Sequence, residues 1–246
     1  MRLRAFADRN SKELLRDPLN LCLSLGLPVF MLVLLTFLGK NIPGGGMFRI
    51  DVLTPGIVLF SFCFTTLFVG FLIAQDRTGS FFIRLSASPL TASEFYLGYT
   101  LPVLPITLGQ TVICILAGLC LGLEPSLRLL LLPVVMLPAA VFFIAAGLIF
   151  GCYLPQKAVG GIGSLFVNVG TIFAGVWFPL DALEGSVFYN ICHLFPFVHI
   201  AKAGACALSG DFGALACHLL WVCGYAAVFA LISVLVFSRR MRIDKI

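Results

Sequence analysis

The chain has 246 residues, 60% of them hydrophobic and only 11% charged, against about 25% charged in ordinary soluble domains. Several apolar runs reach about 18 residues, enough to cross ~30 Å of hydrocarbon as a helix, so the sequence reads as an integral membrane protein. The net charge of +5 does not point to a nucleic acid, because Lys and Arg cluster at one set of loops and lipid head groups are the expected anion.

In chain order, residues 2–18 carry Arg2, Arg4, Arg9, Lys12 and Arg16 among Asp8, Glu13 and Asp17. Leu3, Phe6, Ala7, Leu14 and Leu15 face these charges, as in a helix lying in the membrane interface; the alternative is a solvated basic tail. The apolar run starts only near Leu21 and no small-residue cleavage site follows, so the first span is expected to stay in the protein. Six spans are predicted at about 21–39, 55–74, 98–122, 128–153, 159–178 and 214–237. Between the second and third lies a charged break, Gln75 to Leu90, ended by Ser88-Pro89-Leu90, a surface suited to being gripped by another protein.

The stretch 179–212 is apolar from Phe188 to Ile200 but holds Asn190, His193, Pro196 and His199, too short and polar to cross lipid alone. Charge supports that reading. With six spans, twelve of the sixteen Lys and Arg residues fall on the side of the termini, leaving Lys40, Arg49, Arg128 and Lys202 outside. Residues 179–212 are therefore expected to dip part-way into the outer leaflet.

Predicted span interiors contain no Asp, Glu, Lys or Arg, although ion-coupled carriers usually keep a buried ionisable group as the coupling site. His218, near the start of the sixth span, is the titratable exception. No lysine precedes Ser or Thr, which rules out a phosphate-cradling loop, and neither a zinc helix nor a nucleophile elbow occurs. The chain reads as no enzyme.

Seven of nine cysteines fall in predicted spans; Cys192 and Cys206 lie on the predicted outer side, where pairing is left open. Thr65, Thr66, Gln110, Asn168 and Thr171 either line a pathway or hydrogen-bond neighbouring helices. Gly118-x-x-x-Gly122 and Gly147-x-x-x-Gly151 fit close helix packing. His193 and His199 either bind a metal or head group or make interfacial hydrogen bonds.

Four segments carry a resemblance: Ser11 to Pro18, the break Asp76 to Leu90 with Gly79, Arg84-Leu85 and Ser88-Pro89-Leu90, the apolar pair of spans 98–153, and Phe195-Pro196-Phe197 with His199. Together they resemble the membrane subunit of an ABC exporter of the type-2 permease family. The resemblance implies an all-α membrane protein, with 1–246 as one permease domain of six transmembrane helices. Residues 1–18 would be an interfacial elbow helix, 75–97 a cytoplasmic coupling loop and 179–212 outer re-entrant helices. Both termini would be cytoplasmic in the inner membrane.

It further implies a second permease copy and separate ATPase subunits that hold the ATP and magnesium, with no cofactor in this chain. Coupling contacts would come from Asp76, Arg77, Gly79, Phe81, Phe82, Arg84, Leu85 and Pro89, although Asp76 and Arg84 also read as solvated charges and Phe81 and Phe82 as head-group anchors. Thr65, Thr66, Asn168 and Thr171 would face the pathway. Ile83 departs from the family, where a glutamate often precedes Arg-Leu. The reading from another class is a secondary carrier or channel that needs no ATP; a third is an assembly scaffold.

Overall fold

The computed structural model describes residues 2–41, 48–79 and 91–243. Ten α-helices are found among them, and no strand: α1 (Arg2–Leu15), α2 (Pro18–Asn41), α3 (Ile50–Thr78), α4 (Ala92–Leu121), α5 (Leu132–Val135), α6 (Leu137–Tyr153), α7 (Gln156–Phe173), α8 (Val187–Leu194), α9 (Pro196–Ser209) and α10 (Phe212–Ile243). α3 is the central post, packed against α2, α4, α6, α7 and α9.

Helix ends follow local chemistry. Asp17 caps α2, its Oδ1 accepting from Asn20 N at 3.1 Å, and Pro18 stands at the first helical position, where its missing N–H is harmless. α4 begins six residues before the predicted span because Thr91 and Glu94 form a capping box: Thr91 Oγ1 accepts from Glu94 N at 3.2 Å and Glu94 Oε2 from Thr91 N at 2.9 Å. It stops at Gly122, whose φ of 112° suits glycine. Gly122 is thus a helix terminator with open space around it, and Gly118-x-x-x-Gly122 is not a packing pair.

Among the described residues five helical stretches are long and apolar enough to cross a bilayer, Asn20–Asn41, Ile50–Thr78, Ala92–Leu121, Leu127–Tyr153 and Phe212–Arg239, and the bent pair Val187–Leu194 with Pro196–Ser209 meets the same measure when taken together. The fourth is interrupted, entering through a 3-10 turn at Leu127–Leu130 and restarting at Pro133 and Pro138, which supply no N–H to the preceding turn. The predicted fifth span differs. α7 has 18 residues, ~27 Å of helix, and Gln156, Lys157 and Asn168 keep it from the apolar set. It nevertheless runs the length of α3: Val159 abuts Gly70, Gly163 meets Leu67, Gly170 nears Cys63, and Val176 covers Gly56. Instead of continuing to 178, the chain turns at Gly175 (φ 70°), and Trp177 Nε1 donates back to Thr171 Oγ1 at 2.9 Å.

α8 and α9 meet at 81° across Phe195, where Pro196 opens α9. Tyr225 donates to Leu194 O at 2.5 Å, thirteen residues along α10 from Phe212, so the bend sits ~20 Å along α10 from its start. From there α9 returns along α10 to Gly210. Phe197 at the bend packs on Phe142, Phe143 and Phe166.

Both ends of the chain meet at one end of the bundle: Phe6 of α1 and Phe237 of α10 both pack on Phe95 of α4, at 5.4 and 4.4 Å. α3 and α6 approach closely along glycines. A Cβ on Gly147 would stand 2.6 Å from Thr66 O, and one on Gly151 2.7 Å from Gly70 O. Gly147→Ala is expected to lower stability by about 1–3 kcal/mol through overpacking against backbone that cannot move aside. Gly26→Ala in α2, where nothing lies within 4 Å, serves as the control and is expected to leave unfolding unchanged or slightly delayed. Thermal unfolding of the three proteins in one detergent measures both.

Candidate functional site at the charged end of the bundle

α1 places Phe6, Asn10 and Leu14 on one face at four-residue spacing. Phe6 and Asn10 are buried against α4, where Asn10 Nδ2 donates to Gly98 O at 3.0 Å and Phe6 lies edge-on to Tyr99 at 5.1 Å. Gly98 leaves the space that the Phe6 ring fills. This face brings Arg9 over the end of α3.

Asp76 is only 4% exposed. Arg9 grips it with two parallel bonds, Nη1 to Oδ2 and Nη2 to Oδ1, each 2.7 Å, and Tyr99 donates its hydroxyl to Oδ2 at 2.7 Å. Arg9 also pairs with Glu13 at 2.9 Å. Burial opposes the charge on the guanidinium, but the hydrogen bond and charge of Asp76 outweigh it and raise the Arg9 pKa. Three helices, α1, α3 and α4, thus converge on one carboxylate.

The next residue does the same on the other flank. Arg77 donates to Cys152 O and, at 2.7 Å, to Leu154 O, the carbonyls that α6 leaves open at its C-terminus. α3 then ends at Gly79, whose N–H donates to Gln75 O at 3.2 Å. Of the sequence-predicted coupling residues, Asp76, Arg77 and Gly79 are brought together here, with the first two turned inward onto neighbouring helices. Phe81, Phe82, Arg84, Leu85 and Pro89 lie outside the described residues, as does Ile83.

The sequence-predicted pathway residues separate. Thr65 Oγ1 donates to Gln110 Oε1 at 3.2 Å, tying α3 to α4, and Thr66 Oγ1 donates to Phe143 O at 2.9 Å, tying α3 to α6. Thr171 is buried and bonded to Val167 O within its own helix. Asn168 alone of the four is exposed, on an α7 face shared with Gly161, Ser164 and Leu165.

At the opposite end all three histidines gather. His199 Nδ1 lies 2.9 Å from His218 Nδ1, His199 Nε2 is 3.0 Å from His193 O, and the His199 ring stacks on Trp221 at 5.1 Å. These are hydrogen bonds joining α8, α9 and α10, and no group of three side chains fit to hold a metal ion occurs among the described residues. Cys192 packs on Leu180 and Val198, whereas Cys206 belongs with Ala203, Ala207 and Leu215; both are free thiols.

The described residues form a bundle of apolar helices with a charged junction where α1 and α4 meet the end of α3. A family model described as ABC-2 type transporter matches residues 1–205, and the chain belongs to that family. It is the permease component of an ABC transporter, a multi-pass membrane protein that is not itself the ATPase. No individually curated protein matches the chain.

Sequence reading missed Arg9, Asn10 and Tyr99. The signal was a polar Asn10 on the apolar face of α1, which asks for a buried partner. Removing Arg9 leaves a carboxylate at 4% exposure held only by Tyr99, so Arg9→Ala is expected to destabilise by on the order of 3 kcal/mol. Arg9→Ala with Asp76→Ala is expected to cost less than the sum of the two single changes, and a double-mutant cycle of unfolding in detergent measures the coupling.

Proposed function

We propose that the chain is one half of an ATP-driven exporter. Two copies pair with two separate ATPase subunits, which hold ATP and magnesium, and move an amphipathic, lipid-linked or drug-like substrate out of the cytoplasm. The cytoplasmic membrane is its location, with both termini inside; the Lys and Arg bias and the meeting of α1 with the end of α10 support that orientation.

The observation that carries the reading is the pair Asp76–Arg77. Beyond Gly79 the chain runs through the segment 80–90 to the capping box at Thr91. An ATPase gripping that segment through Arg84, Leu85, Phe81, Phe82 and Pro89 pulls directly on the end of α3. Asp76 then carries the displacement to α1 and α4, and Arg77 carries it to the α6–α7 turn. In this mechanism Asp76 and Arg77 position and transmit, while the ATPase contact itself falls on the residues after Gly79. Asn168, on the exposed face of α7, is the pathway residue best placed to meet substrate or the second copy. Thr65, Thr66 and Thr171 hold the helices that frame the pathway.

The test is an affinity pull-down of the tagged chain from mild detergent. The wild type is expected to recover an ATPase, Arg84→Glu to recover at least roughly tenfold less by placing like charge where a charge-assisted contact stood, and Arg9→Ala to recover it as the wild type does. Failure to recover an ATPase from wild type, even with a crosslinker, removes the exporter reading and leaves the ATP-independent carrier.

A further inference from the structure

Beside α1 lies a cleft of about 330 Å³ between the α1–α2 junction and the lower halves of α3 and α4. Its rim is charged: Glu13, Arg16 and Asp17. Its walls are apolar, including Phe68 of α3 and Ile106 of α4, with Leu21 at the mouth. From Gln75 at the rim to Thr65 at the floor is ten residues of helix, ~15 Å, or half the ~30 Å hydrocarbon layer. The Thr65 hydroxyl already donates to Gln110, so the floor leaves an apolar occupant without a polar demand.

The rim charges decide the head group. Arg16 is exposed, and its guanidinium makes no hydrogen bond or ion pair among the described residues. Asp17 accepts from Asn20 and Glu13 from Arg9, yet a carboxylate has room for about four donors, so both retain capacity. A purely anionic head would meet Arg16 but also two carboxylates. A quaternary ammonium has no N–H to give them. A phosphate followed by a primary ammonium satisfies both signs.

Independently of the transport reading, we infer that this cleft binds a membrane phospholipid whose head carries a phosphate and a primary ammonium. The phosphate sits on Arg16, the ammonium on Asp17 and Glu13, and one acyl chain runs along Phe68 and Ile106 towards Thr65.

The test exposes the purified chain in mild detergent to equal amounts of phosphatidylethanolamine, phosphatidylcholine and phosphatidylglycerol, and reads retained lipid by mass spectrometry of the intact protein. Wild type is expected to keep phosphatidylethanolamine over phosphatidylcholine by roughly tenfold, the size of a charge-assisted hydrogen bond. Arg16→Glu and Leu21→Trp lose it. Asp17→Asn, which can still cap α2, brings phosphatidylethanolamine and phosphatidylcholine towards equal retention. Equal retention of the three lipids by wild type, preference for phosphatidylglycerol, or an Arg16→Glu protein that binds as wild type overturns the assignment. A photoactivatable phosphatidylethanolamine with its diazirine in the acyl chain tests wild type without any substitution. Adducts on Phe68 and Ile106 support the cleft, and adducts confined to the outward face of α10 overturn it.

Discussion

The bidentate bond between Arg9 and Asp76 is the constraint on which the charged end of the molecule depends. α1 has 14 residues, at the margin of what holds a helix in water, and only one narrow apolar face. Phe6 and Asn10 give it a place on α4, but the ion pair fixes its rotation and register, because two parallel N–H to oxygen bonds tolerate little misalignment. Such a pair need not add net stability over an apolar contact of the same shape. What it adds is a single geometry, together with a large penalty for leaving it. At a junction proposed to pass displacement from one helix to another, that combination matters more than the gross strength of the contact.

Why two adjacent residues serve opposite neighbours follows from the helix itself. Successive side chains on α3 are about 100° apart, so Asp76 and Arg77 reach different flanks of the same post. One meets a cation and the other a helix C-terminus, each matched in sign to its partner. Above this end, α3 is held to α6 by near backbone contact at Gly147 and Gly151, and to α4 and α6 by neutral hydrogen bonds from Thr65 and Thr66. α3 is therefore stiffly joined to α6, while the segments around them carry the breaks: the prolines before α6, the glycines of α7, and the right-angle bend between α8 and α9.

Much of this was legible in the sequence. Apolar length identified the spans, and Pro196 marked the sharp bend between α8 and α9. Span limits failed where capping chemistry outran hydropathy: Thr91 and Glu94 start α4 well before its apolar run, and polar Gln75 to Thr78 remain helical because their side chains reach neighbours or water at the helix end. The fifth span was overextended because Trp177 is apolar by composition yet lies beyond a turn to which it is itself bonded. The junction was hardest to read. Asp76 and Arg9 are 67 residues apart, each sits in a charge-rich stretch, and a helical period shows which face a residue occupies but not what covers it.

The distribution of ionisable groups bears on where energy enters. A carrier driven by an ion gradient needs a group within the bundle that can give up and regain charge while exposed in turn to each side. The middle of this bundle offers neutral groups, and two of them in α3, Thr65 and Thr66, are already spent on Gln110 and on a carbonyl. The buried carboxylate, Asp76, sits instead at the end of its helix, clamped by a guanidinium and a phenol that both donate to its oxygens. A group so held ties α1, α3 and α4 to one another at this end. In the proposed mechanism work is applied at this charged end, through the segment that joins α3 to α4, by a partner outside the chain.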